Sequence, residues 1–198
     1  MPLTYPTSPG FRDIVIKMND PSITFRAQNG RRISRKVSGH LWSGTLTYPP
    51  MTKASFVPIR GFLAKLRGQY NTFTIIPPNL ANPLGTQIAD TTVATGQAIG
   101  ATSVPISGAT SGNTFRAGDV LKFSNHDKVY MVTDDATASV GGTATINFVP
   151  PLLTAITTSH TVKHKDVPFT MALTNALQEM QTSVADIYTY ELTCEEVF

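Results

Sequence analysis

Apolar and polar residues alternate in short runs along most of this chain. The run Ser22–Arg26 alternates residue by residue, and so does the last segment, Ile187–Phe198. A period of two is that of a β-strand, whose successive side chains point to opposite faces. Turn-forming residues separate the runs, and Asn29-Gly30 is a strong hairpin-turn signal. The pattern therefore predicts a mainly β fold.

One segment has helical spacing instead. Its apolar residues recur every three or four positions: Phe56, Ile59, Phe62, Leu63 and Leu66. Thr52 is a suitable N-cap, and Gly68 a suitable end. Pro58 is a misfit, because proline in a helix interior costs about 3 kcal/mol. Two alternatives follow: the helix begins near Phe56 with Pro58 in its first turn, or it kinks at Pro58.

The composition changes in the middle of the chain. Residues 79–112 contain no Lys or Arg and are rich in Ala, Thr, Gly and Ser. Four short strands are predicted, at Ser103–Ile106, Val120–Phe123, Val129–Val132 and Ala144–Phe148. Their spacing, with turn signals between them, is typical of a small closed or nearly closed barrel. The apolar face of the C-terminal strand needs a sheet to pack against. We therefore expect residues 1–78 and 166–198 to form one domain, and residues 79–165 to be an insertion.

Charge is distributed unevenly along the chain. Residues 1–77 carry eleven basic and two acidic residues, a balance of +9, and the remainder carries five basic and eleven acidic, a balance of −6. The densest basic cluster is Arg31, Arg32, Arg35 and Lys36. Three roles are open: contact with acidic neighbouring subunits, contact with nucleic acid, or an edge strand charged to resist aggregation. Nucleic acid is disfavoured, because no aromatic residues are interleaved with these charges.

The sequence contains no recognisable catalytic motif. It has no Gly-x-Ser-x-Gly element and no phosphate-binding loop, and its single cysteine, Cys194, falls on the apolar face of a strand. We therefore expect neither an enzyme nor a cofactor. His160 and His164 have the spacing of two metal ligands on a helix, but they lie in a strand-like stretch without a third His or a Cys, so no metal site is predicted. No apolar run approaches the roughly 18 residues of a membrane span, so membrane insertion is not expected.

The order of these elements is similar to that of a known family. An Asn-Gly turn, a basic strand, a Trp-bearing strand ending at Tyr48-Pro49, a helix and a further strand resemble the ring-forming domain of phage distal tail proteins. The segments Arg116–Ser124, Lys128–Val132 and Phe148–Leu152 resemble the insertion found in the T-five type of these proteins, from siphoviruses with long non-contractile tails. The run Asp90–Gly112 departs from this pattern.

The resemblance implies a β-sandwich ring-forming domain with one α-helix, interrupted by an inserted small OB-like β-barrel (OB-fold). It implies a homo-hexameric ring that joins the tail tube protein to the baseplate hub protein, and a lumen through which DNA passes without specific binding. The protein would lie at the tail tip of the virion after assembly in the host cytoplasm, a reducing compartment that a single cysteine fits. Unlike faces of neighbouring subunits meet in such a ring, and the uneven charge fits that arrangement.

Two sets of residues are candidates for function. We hypothesise that Arg31, Arg32, Arg35 and Lys36 line a subunit interface. The alternative function is a host-surface carbohydrate-binding module, since OB-type barrels accept saccharides on one face. Phe123 and Tyr130 are then the best candidates for stacking on a sugar at the barrel surface, although strand alternation makes both equally good core residues.

Overall fold

The computed structural model describes residues 2–37, 39–176 and 187–198, and the backbone of residues 181–182. None of the described helices is both long and apolar enough to cross a membrane. The chain divides into two compact units: one comprises Met1–Tyr5, Thr72–Met171 and Val197–Phe198, the other Pro6–Asn71 and Ala172–Glu196. The elements in chain order are β1 (Leu3–Thr4), β2 (Asp13–Asn19), β3 (Ser22–Arg26), β4 (Arg32–Lys36), β5 (Leu41–Thr47), β6 (Met51–Thr52), α1 (Lys53–Leu66), β7 (Phe73–Ile75), β8 (Thr91–Val93), β9 (Ser103–Ser107), β10 (Thr114–Phe115), β11 (Val120–Phe123), β12 (Val129–Val132), β13 (Ala136–Thr137), β14 (Ala144–Val149), β15 (Thr161–Lys163), β16 (Phe169–Leu173), β17 (Gln181–Thr182), β18 (Ile187–Thr189) and β19 (Glu191–Glu196).

A closed barrel dominates the first unit. Its strands follow the order β11-β12-β14-β9-β8-β15, and β15 pairs with β11 to close it. Alternate residues point inward, where large apolar side chains fill the interior. Three rings meet there edge to face: the centroids of Phe123 and Tyr130 lie 5.4 Å apart, and those of Tyr130 and Phe148 lie 5.2 Å apart. The barrel interior is therefore a packed core.

A carboxylate fixes the segment that enters the barrel. Asp119 accepts hydrogen bonds from the backbone N–H groups of Leu84, Gly85 and Arg116, at 2.7, 3.0 and 3.1 Å. Gly85 has no room for a side chain, since a Cβ would lie 3.1 Å from the Cα of Phe115 and closer still to a backbone oxygen. The approach of residues 84–85 to the barrel thus depends on one acidic residue and one glycine.

In the second unit, β5 lies between two other strands of its sheet. It pairs antiparallel with β2 on one side and with β19 on the other. Its side chains alternate between buried and half-buried, and Leu192 and Cys194 of β19 are buried on the same face as Leu46. Gly44 lies opposite Cys194, where a Cβ would lie 3.1 Å from the thiol sulfur. The predicted alternation of the last strand is confirmed.

Helix α1 buries the five residues predicted from the sequence: Phe56, Ile59, Phe62, Leu63 and Leu66. It begins at Lys53, so Pro58 lies inside the helix and not in its first turn. The alternative of a start near Phe56 is therefore wrong. The helix ends in the left-handed conformation, with Arg67 at φ 52° and Gly68 at φ 66°.

The predicted fold class is confirmed: the described chain is mainly β, with one helix and a small closed barrel. The four predicted central strands are present as β9, β11, β12 and β14. Of the other two barrel strands, β15 lies in the stretch between His160 and His164 that was described as strand-like, and β8 was not predicted from the sequence. Each has three residues, too few to show a period.

Candidate functional site

The strands β3 and β4 form an exposed hairpin. They pair with each other from Ser22–Lys36 to Arg26–Arg32, and every residue of both strands is exposed. A hydrogen bond from the N–H of Ala27 to the carbonyl of Arg31 closes the turn between the two strands. Within this turn, Gly30 adopts φ 79°. The Asn-Gly turn and the solvent-facing basic strand are thus both present as predicted.

The two faces of this hairpin differ in chemistry. Residues directly opposite each other share a face, so Ile23 lies beside Arg35 and Phe25 beside Ile33. These three apolar side chains are 64%, 65% and 53% exposed. The other face carries only polar and basic pairs, among them Ser22–Lys36 and Arg26–Arg32. We call Ile23, Phe25, Ile33 and Arg35 the apolar face of the hairpin.

The four basic residues predicted as an interface do not act as one group. Arg35 belongs to the apolar face, whereas Arg32 and Lys36 lie on the opposite face, and Arg31 lies in the connection. Lys36 also forms an exposed ion pair with Asp20, at 3.3 Å. The charges were predicted from the sequence, but the apolar side chains beside them were not recognised as part of the same surface, although the alternation of Ile23 and Phe25 was visible.

Phe123 and Tyr130, the predicted sugar-stacking pair, have no exposed surface. Both rings lie in the barrel core with Phe148. Of the two alternatives, both residues are therefore core residues, and their buried positions do not fit stacking on a ligand at the barrel surface. The physical reason is the strand register, which pairs the inward-facing Phe123 with Val162.

An open cavity of about 400 Å³ lies on the outer side of the barrel. Lys122 and Lys163, directly opposite each other on β11 and β15, contribute to its lining. The carboxylate of Asp127 lies 2.7 Å from the ammonium of Lys122, whose side chain is only 13% exposed. Asp90, which precedes β8, and His126 complete its charged and titratable lining.

His126 is held by two hydrogen bonds. Its Nδ1 lies 2.7 Å from Oδ1 of Asn125, and its Nε2 lies 2.7 Å from the hydroxyl of Tyr130. The Asn125 amide nitrogen donates to the carbonyl of Ala155, so the amide oxygen faces the ring and Nδ1 carries the proton. Burial, and to a lesser extent the charge of Lys122, lowers the pKa of His126 to about 4. The ring is therefore neutral at pH 7.

Comparison with known proteins gives matches along most of the chain. Residues 1–80 match the family model of the distal tail protein pb9, A domain, N-terminal part, and residues 82–167 match that of its B domain. The distal tail protein pb9 of Escherichia phage T5 is 28% identical over 178 residues, which cover 88% of this chain and 85% of the relative. The chain belongs to the pb9 family of distal tail proteins.

As a distal tail protein, it is a structural component of a phage tail. Its single cysteine fits a structural role: Cys194 is buried, its sulfur lies 3.6 Å from the carbonyl of Gly44, and burial raises the pKa of the thiol to about 12. The two histidines considered as metal ligands have other partners in this distal tail protein. His160 Nδ1 accepts from the N–H of Thr157, and His164 Nε2 pairs with the Thr91 hydroxyl.

Proposed function

We propose that six copies of this distal tail protein form a ring at the end of the tail, between the tail tube protein and the baseplate hub protein. DNA passes through the central channel without specific binding, and the subunits assemble in the host cytoplasm. Residues 1–78 and 166–198 form the ring domain, and residues 79–165 form the inserted OB-like barrel. The observation that carries this proposal is the exposed β3–β4 hairpin.

The apolar face of the hairpin has the composition of a protein interface. A two-stranded hairpin is at best marginally stable alone in water, and exposed apolar patches commonly mark interaction sites. Aromatic and arginine side chains are enriched at such interfaces, and Phe25 and Arg35 supply both kinds here. A neighbouring copy that covers Ile23, Phe25 and Ile33 would remove this apolar surface from water.

The charges of the hairpin suit a contact between unlike surfaces. In a ring closed by rotation, each subunit presents one surface to the copy before it and a different one to the copy after it. The hairpin is basic, whereas residues 78–198 have a balance of −6. Attraction between such surfaces steers association and fixes the register of the contact.

The exposed face of the β2-β5-β19 sheet suits the wall of the channel. Asp13 and Glu191 flank Thr47 on this face, and Lys17 and Glu195 flank Ser43. The face thus carries three acidic residues and one basic residue, together with hydroxyl side chains and the exposed Val15 opposite Thr45. Such a surface repels DNA phosphates and offers no aromatic ring for base stacking, as passage without binding requires.

Light scattering at several protein concentrations, backed by negative-stain images, tests the ring. We expect a mass close to six times 21.4 kDa and ring-shaped particles. The double substitution Phe25→Ser with Ile33→Ser should leave a folded monomer. Val140→Ser removes an apolar side chain that is 94% exposed on the barrel, and should leave the ring intact. Rings of unchanged mass in the double variant would contradict the proposal.

Charge reversal on the two faces tests which one is covered. Arg35→Glu places a carboxylate among the apolar side chains of the hairpin, whereas Arg32→Glu alters the opposite face. We expect Arg35→Glu, and more strongly the pair with Arg31→Glu, to prevent ring formation while circular dichroism shows a folded monomer. Equal loss of the ring in Arg32→Glu alone would show that the apolar face is not the preferred contact.

A further inference from the structure

The cavity on the outer side of the barrel contains an opposed pair of cations. Lys122 and Lys163 lie directly opposite each other on β11 and β15. The next pair along these strands, Phe123 and Val162, points into the barrel core. Like charges directly opposite on neighbouring strands destabilise a sheet. Asp127 neutralises Lys122 at 2.7 Å. Among the described residues, no carboxylate lies within 4 Å of the half-buried Lys163.

Oxygen acceptors surround this pair. The register of β15 with β8, continued by one residue, brings Asp90 opposite Lys163. On the other side of the lysine pair, Asp127 forms an ion pair with Lys122. Two carboxylates therefore flank two ammonium groups. Ser124 and Thr161 lie one step along the same outer face. Charged and hydroxyl side chains share the lining with apolar surface, and the aromatic ring of Phe123 at its base is fully buried.

This arrangement distinguishes between classes of ligand. Single-stranded nucleic acid is bound by several exposed rings along a basic groove, whereas this lining has only the half-buried ring of His126 and places two carboxylates beside its lysines. Inorganic phosphate would be attracted by the lysines, but it is a single small centre, whereas Asp90 and Asp127 lie on opposite sides of the lysine pair. An acidic sugar presents an anionic group for Lys163 and hydroxyl donors for Asp90 and Asp127. The volume of about 400 Å³ is within the range of small-molecule sites.

We propose that this cavity binds an acidic sugar unit, with its carboxylate on Lys163 and its hydroxyl groups on the carboxylates of Asp90 and Asp127. The neutral His126, fixed by Asn125 and Tyr130, forms part of the rim and adds no third positive charge. The site lies within one compact unit of the chain and does not depend on the proposed ring. It gives the barrel a role in recognising acidic polysaccharide at the cell surface.

Titration of the full-length protein with three probes, followed by ¹⁵N amide NMR, tests the site. D-galacturonate should shift the resonances of residues 122–127 and 161–163, with D-galactose and inorganic phosphate binding at least tenfold more weakly. Absence of shifts in this region with galacturonate would overturn the proposal. Phosphate binding as tight as galacturonate binding would also overturn it, since the site would then recognise an anion and not a sugar.

Two variants and a matched control assign the contacts. Lys163→Gln removes the proposed partner of the carboxylate and should weaken galacturonate binding about tenfold, the usual effect of losing a charge-assisted hydrogen bond. Asp90→Asn should weaken galacturonate binding and leave phosphate binding unchanged or stronger. Lys165→Gln, two residues further on and outside the cavity, should change neither. Equal binding by wild type and Lys163→Gln would overturn the assignment. The mass of each variant by light scattering reports on the ring separately.

Discussion

His164 lies inside the barrel unit, with its Nε2 2.8 Å from the Thr91 hydroxyl and its ring edge against Phe115. Burial lowers its pKa to about 4. An imidazolium here would lose water without gaining an opposite charge at contact distance among the described residues. The histidine that the sequence presented as a possible ligand is thus a neutral member of the core.

This burial makes stability depend on pH. The pKa of His164 is about 4 in the folded protein, against the ordinary histidine value of 6.5 that applies to the unfolded chain. Between these values the unfolded chain binds more protons, so the free energy of unfolding falls as pH decreases from 6.5 towards 4. At pH 5 the loss from this residue is on the order of 2 kcal/mol relative to pH 7. Burial also lowers the pKa of His126 to about 4, so this residue too makes the free energy of unfolding fall as pH decreases.

Urea unfolding of the wild type and of His164→Gln at pH 7 and pH 5 checks this dependence. The variant should be less stable at pH 7, because the fit of the ring against Phe115 is lost, but its stability should change less between the two pH values. A His164→Gln protein whose stability falls as steeply as that of the wild type would show that other groups carry the effect.

At the scale of elements, α1 contains a local conflict in its sequence. Pro58 is the sixth residue of the helix, so the carbonyl of Ala54 receives no N–H from it. Ala54 is exposed, and water can satisfy that carbonyl. The helix is stabilised instead by the packing of its five buried apolar residues, Phe56, Ile59, Phe62, Leu63 and Leu66.

Replacement of Pro58 by alanine should therefore stabilise the protein. The helix gains a hydrogen bond and loses a residue that costs about 3 kcal/mol in a helix interior. Proline also restricts the unfolded chain, which offsets roughly 0.4–1 kcal/mol of that gain. We expect a net gain of about 2 kcal/mol in urea unfolding. Val57→Ala, at the exposed neighbouring position, is the control and should change stability much less. A less stable Pro58→Ala protein would show that the proline serves a contact outside the helix.

The elements show how far periodicity predicts a fold. Strands of four or more residues, such as β11 and β14, carry enough alternation to be found. The three-residue strands β8 and β15 complete the barrel through pairings distant in sequence, which no local pattern encodes. For the hairpin, alternation shows that Ile23 and Phe25 share a face but not whether the chain itself covers that face. The outward-facing Lys122–Lys163 pair likewise depends on a register that only the closed barrel defines.

At the scale of the whole molecule, charge and apolar burial make different contributions to the proposed ring. The screening length of an electrolyte falls from about 10 Å at 0.1 M salt to about 3 Å at 1 M. Attraction between the basic hairpin and an acidic neighbouring surface is therefore largely lost at 1 M NaCl. Burial of Ile23, Phe25 and Ile33 does not weaken in the same way, because it depends on removing apolar surface from water.

The ring should therefore persist at high salt but form more slowly. We expect light scattering to give the same mass at 0.1 M and 1 M NaCl once equilibrium is reached. The rate of assembly after dilution from a dissociated state should fall about tenfold or more at 1 M, as for electrostatically steered association. Phe25→Ser with Ile33→Ser should remain monomeric at both salt concentrations. A ring that dissociates completely in 1 M NaCl would mean that the ion pairs of the hairpin, and not its apolar face, hold neighbouring subunits together.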